Sequence, residues 1–278
     1  MKNKLISTAL ILVALYCVLN PFWNIEEVYF PIKKALTVAI IILLSSLYVA
    51  FRTKASFGFV LMVTAIPLCI VQSLTDLVGM LQTASDLEAA FLIMPDALST
   101  VFTGALLASI GYFFLDNKRT DLEVLSNIDI TVCSFFILIW IIWLTHEATG
   151  VFAFFDIPSL QFLIGFILFA IAGAVISDKK LSVWLANASI ATMLFGIITT
   201  AIFYYSLVHD PKAFGPLLAI GLITSLYGCL VFYLSFLISL KQRTLAEINF
   251  TVKNWHIIEA FAFLVFLVYG PPTIWEAF

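Results

Sequence analysis

The residues best suited to chemistry are two adjacent hydroxyl side chains inside a long apolar stretch. Thr224 and Ser225 lie near the middle of residues 213–240, which contain no charged residue. In a water-poor region, hydroxyl oxygens can stand in for the hydration of a proton or a sodium ion. Alternatively, they donate to the carbonyl one turn earlier, as Ser and Thr commonly do in membrane helices. The pair therefore predicts either an ion path or a local helix bond.

A single carboxylate near the C-terminus is the second candidate group. Glu259 follows Trp255 and His256 and precedes the apolar residues 260–269. An acid roughly 7–9 Å inside the end of a membrane helix can act as a proton carrier. The alternative is a carboxylate that reaches the interface beside His256. Asp76, by contrast, is predicted at the outer interface, because it lies about nineteen residues past the start of its apolar run.

The histidines and cysteines do not form a reactive centre. The histidines lie at the ends of apolar runs and the cysteines lie within such runs: His146, His209 and His256, and Cys17, Cys69, Cys133 and Cys229. Neither set has the spacing of a metal site or of a disulfide framework. No nucleophile motif and no phosphate-binding loop is present. We therefore predict no metal, no cofactor and no enzymatic activity.

Composition places these residues in a membrane protein. Of the 278 residues, 63% are hydrophobic and 11% are charged, and the mean hydropathy is +1.10. Soluble domains contain about 25% charged residues. The net charge of −3, with no run of more than two basic residues, disfavours nucleic acid as a partner. The composition predicts an all-α, polytopic integral membrane protein surrounded by membrane lipid.

Nine apolar runs without a charged residue predict nine transmembrane helices. They cover residues 5–20, 35–51, 57–75, 97–115, 130–145, 157–177, 181–208, 213–240 and 260–275. Each run is near the roughly 17–25 residues that cross a bilayer. The first run resembles a signal peptide, but no small-x-small cleavage site follows it, so we expect it to remain as a helix. With a cytoplasmic N-terminus, eleven basic residues lie inside and three outside, which predicts a multi-pass protein of the cell inner membrane in that orientation.

A weak internal match appears when the chain is compared with itself at a shift of 117 residues. The coinciding pairs are Leu77/Leu194, Gly79/Gly196, Thr83/Thr200, Ala84/Ala201, Gly104/Gly221 and Gly111/Gly228. The match predicts two tandem four-helix units, 1–118 and 119–244, and a C-terminal helix within 245–278. An even number of helices in each unit would make the repeats parallel. The glycines are expected to allow close contact between helices.

One stretch of the chain resembles a known family. In order, it contains Gly196, Asp210-Pro211, Gly215-Pro216, Thr224-Ser225 and Tyr227-Gly228. This order and spacing resemble the MotA/TolQ/ExbB proton-channel family, and its MotA branch in particular, over roughly residues 193–240. The resemblance implies a turn at Asp210, Pro211 and Gly215, outside the membrane, between two helices. It also implies an ion-channel or stator-like subunit that passes H⁺ or Na⁺ and couples the flow to a partner.

The resemblance also implies roles for several residues. Thr224 and Ser225 would line the ion path. Pro216 would be a flexible point of its helix, where the alternative is a proline that merely starts the helix. Ile197 stands where the family has a threonine, and Thr200 is the nearby residue that would replace it. Family members form a ring around helices of a separate MotB/ExbD-type protein, so an oligomer and a single-helix partner are expected.

Two other functions remain open from the sequence. The chain has no loop long enough for the large cytoplasmic insert of the MotA branch. One alternative is a small-solute transporter whose two parallel halves enclose a site in the middle of the membrane. The other is a non-conducting membrane scaffold or accessory protein. The first unit suits the scaffold, because Leu107 and Ala108 stand in place of Thr224 and Ser225.

Overall fold

A computed structural model describes residues 32–82, 87–114, 123–148, 150–207 and 211–275 of the chain. Within these ranges the fold is all-helical, with eight α-helices, one 3₁₀ turn and no strand. Seven of these helices are long and apolar enough to cross a membrane. The prediction of a helical, multi-pass membrane protein is therefore confirmed. The first predicted span, 5–20, lies outside the described residues, and the total of nine helices stays a prediction.

Each described helix overlaps one of the predicted apolar runs. In chain order the helices are α1 Ile32–Thr53, α2 Phe57–Gln82, α3 Leu87–Phe113, α4 Asn127–Ala148, α5 Ile157–Ile176, α6 Leu181–Leu207, α7 Pro211–Gln242 and α8 Phe250–Trp275. The 3₁₀ turn, Val151–Phe154, lies between α4 and α5. The two helices of α2–α3 and of α6–α7 are antiparallel, because residues later in the first helix of each pair contact residues earlier in the second.

Polar side chains fix the starts of two helices. Asp156 precedes α5, and its carboxylate accepts hydrogen bonds from the Ser159 N–H at 2.8 Å and the Ser159 hydroxyl at 2.6 Å. At the start of α4, Ser126 and Asp129 each accept from the backbone N–H of the other. Such caps satisfy N–H groups that have no partner in the first helical turn. The second cap also positions Asp129 where α4 meets α1.

Two helical hairpins form the core of the bundle. α2 pairs with α3, α6 pairs with α7, and the hairpins meet through α2 and α7. In the apolar span of α2, 78% of the residues are buried, and in that of α7 67%, against 11% in α5. α1 packs on α2 and α3, α5 packs on α6 and α7, and α8 packs on α6 and α2. The exposed faces of α4 and α5, with side chains such as Phe135 and Phe169, suit contact with lipid.

Buried polar groups connect the outer helices to this core. Ser45 of α1 shares a hydrogen bond of 2.9 Å with Tyr233 of α7. Asn254 of α8 donates to the Met62 carbonyl of α2 at 3.1 Å. Hydrogen bonds between membrane helices contribute about 0.6–2 kcal/mol each. Specific polar contacts, in addition to apolar packing, therefore fix the positions of α1 and α8.

Basic residues gather at one end of the bundle, which we term the basic end. They are Arg52, Lys54, Lys179, Lys180, Lys241, Arg243 and Lys253. Contacts between distant parts of the chain join these positions: Lys180 Nζ donates to the Gln242 carbonyl at 2.6 Å, and Lys54 pairs with Glu123. The opposite end, termed the far end, contains Lys33-Lys34. By the positive-inside rule, the basic end would be cytoplasmic, and that orientation stays a prediction.

Candidate functional site

Glycines that the sequence predicts for helix packing lie at the contact between α6 and α7. A Cβ atom on Gly196 would lie 2.6 Å from the Gly221 carbonyl oxygen, and one on Gly221 would lie 2.7 Å from the Gly196 carbonyl oxygen. A Cβ atom on Gly228 would lie 2.9 Å from the Met193 nitrogen. Heavy atoms do not approach a real Cβ atom so closely. The two backbones therefore approach at a distance that only glycine permits.

The three hydroxyls predicted for an ion path are buried along the same pair of helices. Thr224, Thr200 and Ser225 each donate to the carbonyl one turn earlier, at 2.8, 2.9 and 3.0 Å. Ser225 Oγ also lies 3.3 Å from the Met193 carbonyl of α6. Backbone carbonyls thus accept all three hydroxyl protons, which is the local bonding expected of Ser and Thr in membrane helices. A role of these hydroxyls in ion passage stays a prediction.

Glu259 lies on the surface near the start of α8. Its side chain is 62% exposed, and Oε2 lies 3.2 Å from Nδ1 of His256. A contact with His256 is the alternative that the sequence offers for this residue. Its role as a proton carrier stays a prediction.

The predicted turn between α6 and α7 differs from the structure. α7 begins at Pro211, so Pro211 and Gly215 lie in its first two turns rather than in the connection. Proline starts a helix without loss, because the first N–H groups of a helix have no partner within it. Asp210, the remaining residue of the predicted turn, lies outside the described residues.

Glycines also lie at the contact between α2 and α3. A Cβ atom on Gly104 would lie 2.6 Å from the Cβ atom of Cys69, and one on Gly111 would lie 2.7 Å from the Gly58 carbonyl oxygen. Gly58, which the sequence did not single out, is therefore part of this contact. Both hairpins of the core use glycine to bring their backbones together.

The 117-residue match does not align equivalent positions of the two hairpins. Gly196 lies eleven residues before the end of α6 at 207, but Gly79 lies three residues before the end of α2 at 82. Gly196 therefore reaches Gly221 in the next helix, whereas Gly104 contacts Cys69 instead of Gly79. The connection falls at a different place in each hairpin. The two tandem units stay a prediction.

A charged cluster that the sequence did not predict joins α1, α2 and α3 near the far end. Lys34 Nζ lies 2.6 Å from Asp76 Oδ1 and 3.3 Å from Asp96 Oδ2. Gln72 Nε2, one turn before Asp76, donates to the same Oδ1 at 3.0 Å. The sequence places Asp76 at the outer interface, but its side chain is only 4% exposed. The difference arises because α1 and α3 pack around this part of α2. α1 supplies Lys34 as the counter-ion of Asp76.

Three oxygens of this cluster have no hydrogen-bond donor among the described residues. They are Gln72 Oε1, Asp76 Oδ2 and Asp96 Oδ1, and all three are buried. An unsatisfied buried polar group costs about 1–3 kcal/mol, and more when it is charged. In a native fold such groups normally have a further partner, such as water or a bound molecule. The cluster therefore has the composition of a binding site for a hydrogen-bond donor.

A cavity of about 370 Å³ is lined by the three residues that carry these oxygens. Gln72 and Asp76 form its buried floor, and Lys33 and Glu147 are exposed at its rim. Trp143 contributes to the wall that α4 provides. The lining contains three acidic side chains and two lysines. Its charge therefore favours a cation over an anion.

A second ion pair, at the basic end, provides a comparison within the same fold. Asp129 accepts from Arg52 Nε at 2.7 Å and from Arg52 Nη2 at 3.2 Å, one bond to each carboxylate oxygen. It also accepts from Tyr48 at 3.0 Å and from the Ser126 hydroxyl at 2.7 Å. Both oxygens of this buried carboxylate thus have donors. Burial of an acid in this fold does not by itself leave oxygens unsatisfied, as they are in the cavity.

The sequence contained a signal for the charged cluster. Lys34, Asp76 and Asp96 each border an apolar run. Alternation of the helices places these three borders on the same side of the membrane. When each of these charged residues is considered alone, its position predicts a loop or the membrane interface. Taken together, two acids and a lysine at one depth predict a buried pair.

Comparisons of the chain with protein-family models, with curated proteins and with solved structures found no match. The fold and the cluster define a polytopic helical membrane protein with a charged cavity at one end of its bundle. The resemblance to the MotA/TolQ/ExbB family stays a prediction. A function for this chain must therefore be argued from its own geometry.

Proposed function

We propose that this chain is a membrane transport protein that moves a small cation or a proton through the cavity lined by α1–α4. The supporting observation is the Lys34–Asp76–Asp96 cluster, with three buried acceptor oxygens that lack donors among the described residues. Ionisable groups within membrane helices are costly, and they typically mark the path of an ion or a substrate. A purely structural ion pair would resemble the fully bonded pair of Asp129 and Arg52.

In this proposal Lys34 acts as a tethered counter-ion. One ammonium group contacts two carboxylates, Asp76 and Asp96, so an excess of negative charge remains. A buried carboxylate without a counter-charge costs several kcal/mol. A cation that enters the cavity stabilises the excess charge, and a proton does the same by binding a carboxylate oxygen. When the cation leaves, Lys34 again pairs with both Asp76 and Asp96.

In this proposal, buried hydroxyl groups on α1 lie along the route from the cavity toward the basic end. Ser46 Oγ lies 2.8 Å from Thr64 Oγ1, and Ser45 Oγ lies 2.9 Å from the Tyr233 hydroxyl. These groups are buried between α1 and the core, on the side of the cavity that faces the basic end. Hydroxyls can pass a proton along or replace part of the hydration of a small cation. Within the proposal, ions pass between the two ends of the bundle along this side of α1.

Flux through the purified full chain in lipid vesicles tests this function. A pH-sensitive dye and a potential-sensitive dye would report proton and cation movement. Asp76→Asn removes the charge but keeps the size of the side chain, so we expect flux to fall at least about tenfold. Asp178→Asn, an equal change at an exposed connection, is the matched control and should retain flux. Wild-type flux in the Asp76→Asn variant would reject the proposal.

A second candidate function is the ion-channel or stator-like role that the MotA resemblance implies. The observation in its favour is that two matched positions, Gly196 and Ser225, lie together at one helix contact. In this case the ion would pass along α7 of an oligomer, and a single-helix partner would supply a carboxylate. The double change Thr224→Val and Ser225→Ala separates the two candidates. It should abolish flux if the path follows α7, and retain flux if the path is the cavity.

A further inference from the structure

We propose that the cavity binds a protonated primary amine, whose ammonium group occupies a position beside Lys34 and bonds to the acceptor oxygens of Gln72, Asp76 and Asp96. This inference rests on the proposed transport function and specifies the class of its substrate. A primary ammonium group is the cation whose three N–H donors match three acceptor oxygens. Lys34, which pairs with Asp76 and Asp96 in the fold, also has a primary ammonium group.

The unsatisfied atoms are the first reason to favour an ammonium group. All three atoms accept hydrogen bonds, and none donates. Gln72 and Asp76 are 2% and 4% exposed, and both line the cavity. Their unsatisfied oxygens have almost no accessible surface, so a ligand in the cavity bonds to them when these side chains turn toward it. An anion would leave these oxygens unsatisfied and would be repelled by both carboxylates. The site therefore selects for a cation with N–H or O–H donors.

The size and the walls of the cavity favour an organic cation over a bare ion. A volume of about 370 Å³ corresponds to roughly a dozen water molecules at about 30 Å³ each. The lining also includes Val38, Leu144 and Trp143. Apolar walls suit a short carbon chain, and an aromatic face attracts a cation. A bare sodium ion or a proton would use neither the volume nor these walls.

Charges at the rim agree with entry of a cation from the far end. Glu147 is exposed at the mouth of the cavity and is a side chain that an arriving ammonium group can contact first. Lys33 is exposed at the same rim and disfavours cations of higher charge. The substrate class that fits all of these groups is a monovalent alkylammonium ion of a few carbon atoms.

Thermal unfolding of the full chain in detergent tests the inference without any need for transport. Propylammonium chloride should raise Tm by about 2–4 °C, because a ligand that binds only the folded state stabilises it. Tetramethylammonium chloride has the charge but no N–H donor, and sodium propionate has an anion of similar size. At equal ionic strength, neither salt should raise Tm. An equal rise with sodium chloride or with propionate would overturn the inference.

Removal of the tethered ammonium group provides a second test. Lys34→Ala should lower Tm, and propylammonium should restore a larger part of the loss than it adds to the wild type, because it can occupy the position of the missing ammonium group. Lys179→Ala, a change of an exposed lysine at the basic end, is the matched control and should show no such restoration. Asp76→Asn should abolish the effect of propylammonium. Restoration of Lys34→Ala by tetramethylammonium to the same degree would contradict the role of N–H donors.

The outcomes of the binding and flux experiments are distinguishable. Binding of propylammonium without any flux in vesicles would reject the transport function and support the site. Flux that depends on Asp76 in the presence of protons or sodium, without any response to propylammonium, would support transport and reject the amine.

Discussion

The Lys34 ammonium lies 2.6 Å from one oxygen of Asp76, while the other oxygen of that carboxylate has no donor among the described residues. Eighteen residues further along the same helix, Arg52 binds both oxygens of Asp129. α1 thus contains a basic residue near each end, and each is paired with a buried acid of a neighbouring helix. At the basic end both carboxylate oxygens of Asp129 have donors. At the far end Asp76 Oδ2 has none among the described residues.

This difference predicts effects of unequal size for the same substitution at the two acids. Asp129→Asn leaves one acceptor oxygen, so it weakens one hydrogen bond from Arg52 and removes the other, and should lower the free energy of unfolding by about 1–3 kcal/mol. Asp76→Asn should change it by less than about 1 kcal/mol, because Lys34 keeps Asp96 as its partner and the one carboxylate oxygen without a donor is replaced by an amide nitrogen. Thermal unfolding of both variants in one detergent measures the difference. Equal losses would show that the two pairs have the same structural role.

The helices could be predicted from the sequence more reliably than the site. The run 181–208 corresponds closely to α6, Leu181–Leu207, because an uncharged span in a membrane must be helical to satisfy its backbone. The run 57–75 ends where α2 continues to Gln82. A run defined by the absence of charge must stop at Asp76, yet the helix continues past Asp76, which is buried and paired with Lys34.

The site could not be predicted in the same way, because it is formed by contacts between residues that are distant in the chain. No local pattern places Lys34 beside Asp76 and Asp96, which are 42 and 62 residues away in the chain. The packing of α1 against α2 and α3 determines this contact, and helix packing is not encoded in hydropathy. Conversely, the hydroxyls of Thr224 and Ser225 stand out in the sequence, but they are bonded to backbone carbonyls in the structure.

The close contact of α6 with α7 predicts a strong effect of one added methyl group. Gly221→Ala would place a Cβ atom 2.7 Å from the Gly196 carbonyl oxygen, so the helices must separate, at a cost of about 1–3 kcal/mol. Gly165→Ala in α5 is the matched control, because nothing lies within 4 Å of its added Cβ atom. That change should be neutral or stabilising by up to about 1 kcal/mol. The comparison of the two Tm values measures the packing contribution, and a tolerated Gly221→Ala would contradict the geometry.

The distribution of basic residues predicts the orientation of the bundle. Asp178 lies in the connection at the basic end, and Glu147 is exposed near the far end. With a cytoplasmic basic end, a membrane-impermeant maleimide should label Glu147→Cys in intact cells and Asp178→Cys only after permeabilisation. The wild-type chain gives the background from its own cysteines, three of which are buried. Labelling of Asp178→Cys from outside would reverse the orientation.

The hydroxyl of Tyr233 allows the proposed route along α1 to be separated from simple helix packing. Tyr233→Phe removes the 2.9 Å hydrogen bond to Ser45 and should cost about 0.6–2 kcal/mol of stability. Tyr227→Phe is the matched control, because it removes a bond to the Phe154 carbonyl on a different face of α7. If ions pass along α1, flux in vesicles should fall in Tyr233→Phe and remain unchanged in Tyr227→Phe, although both variants lose a hydrogen bond. Equal flux in the two variants, at matched protein content, would exclude Tyr233 from the route and leave it a structural contact between α1 and α7.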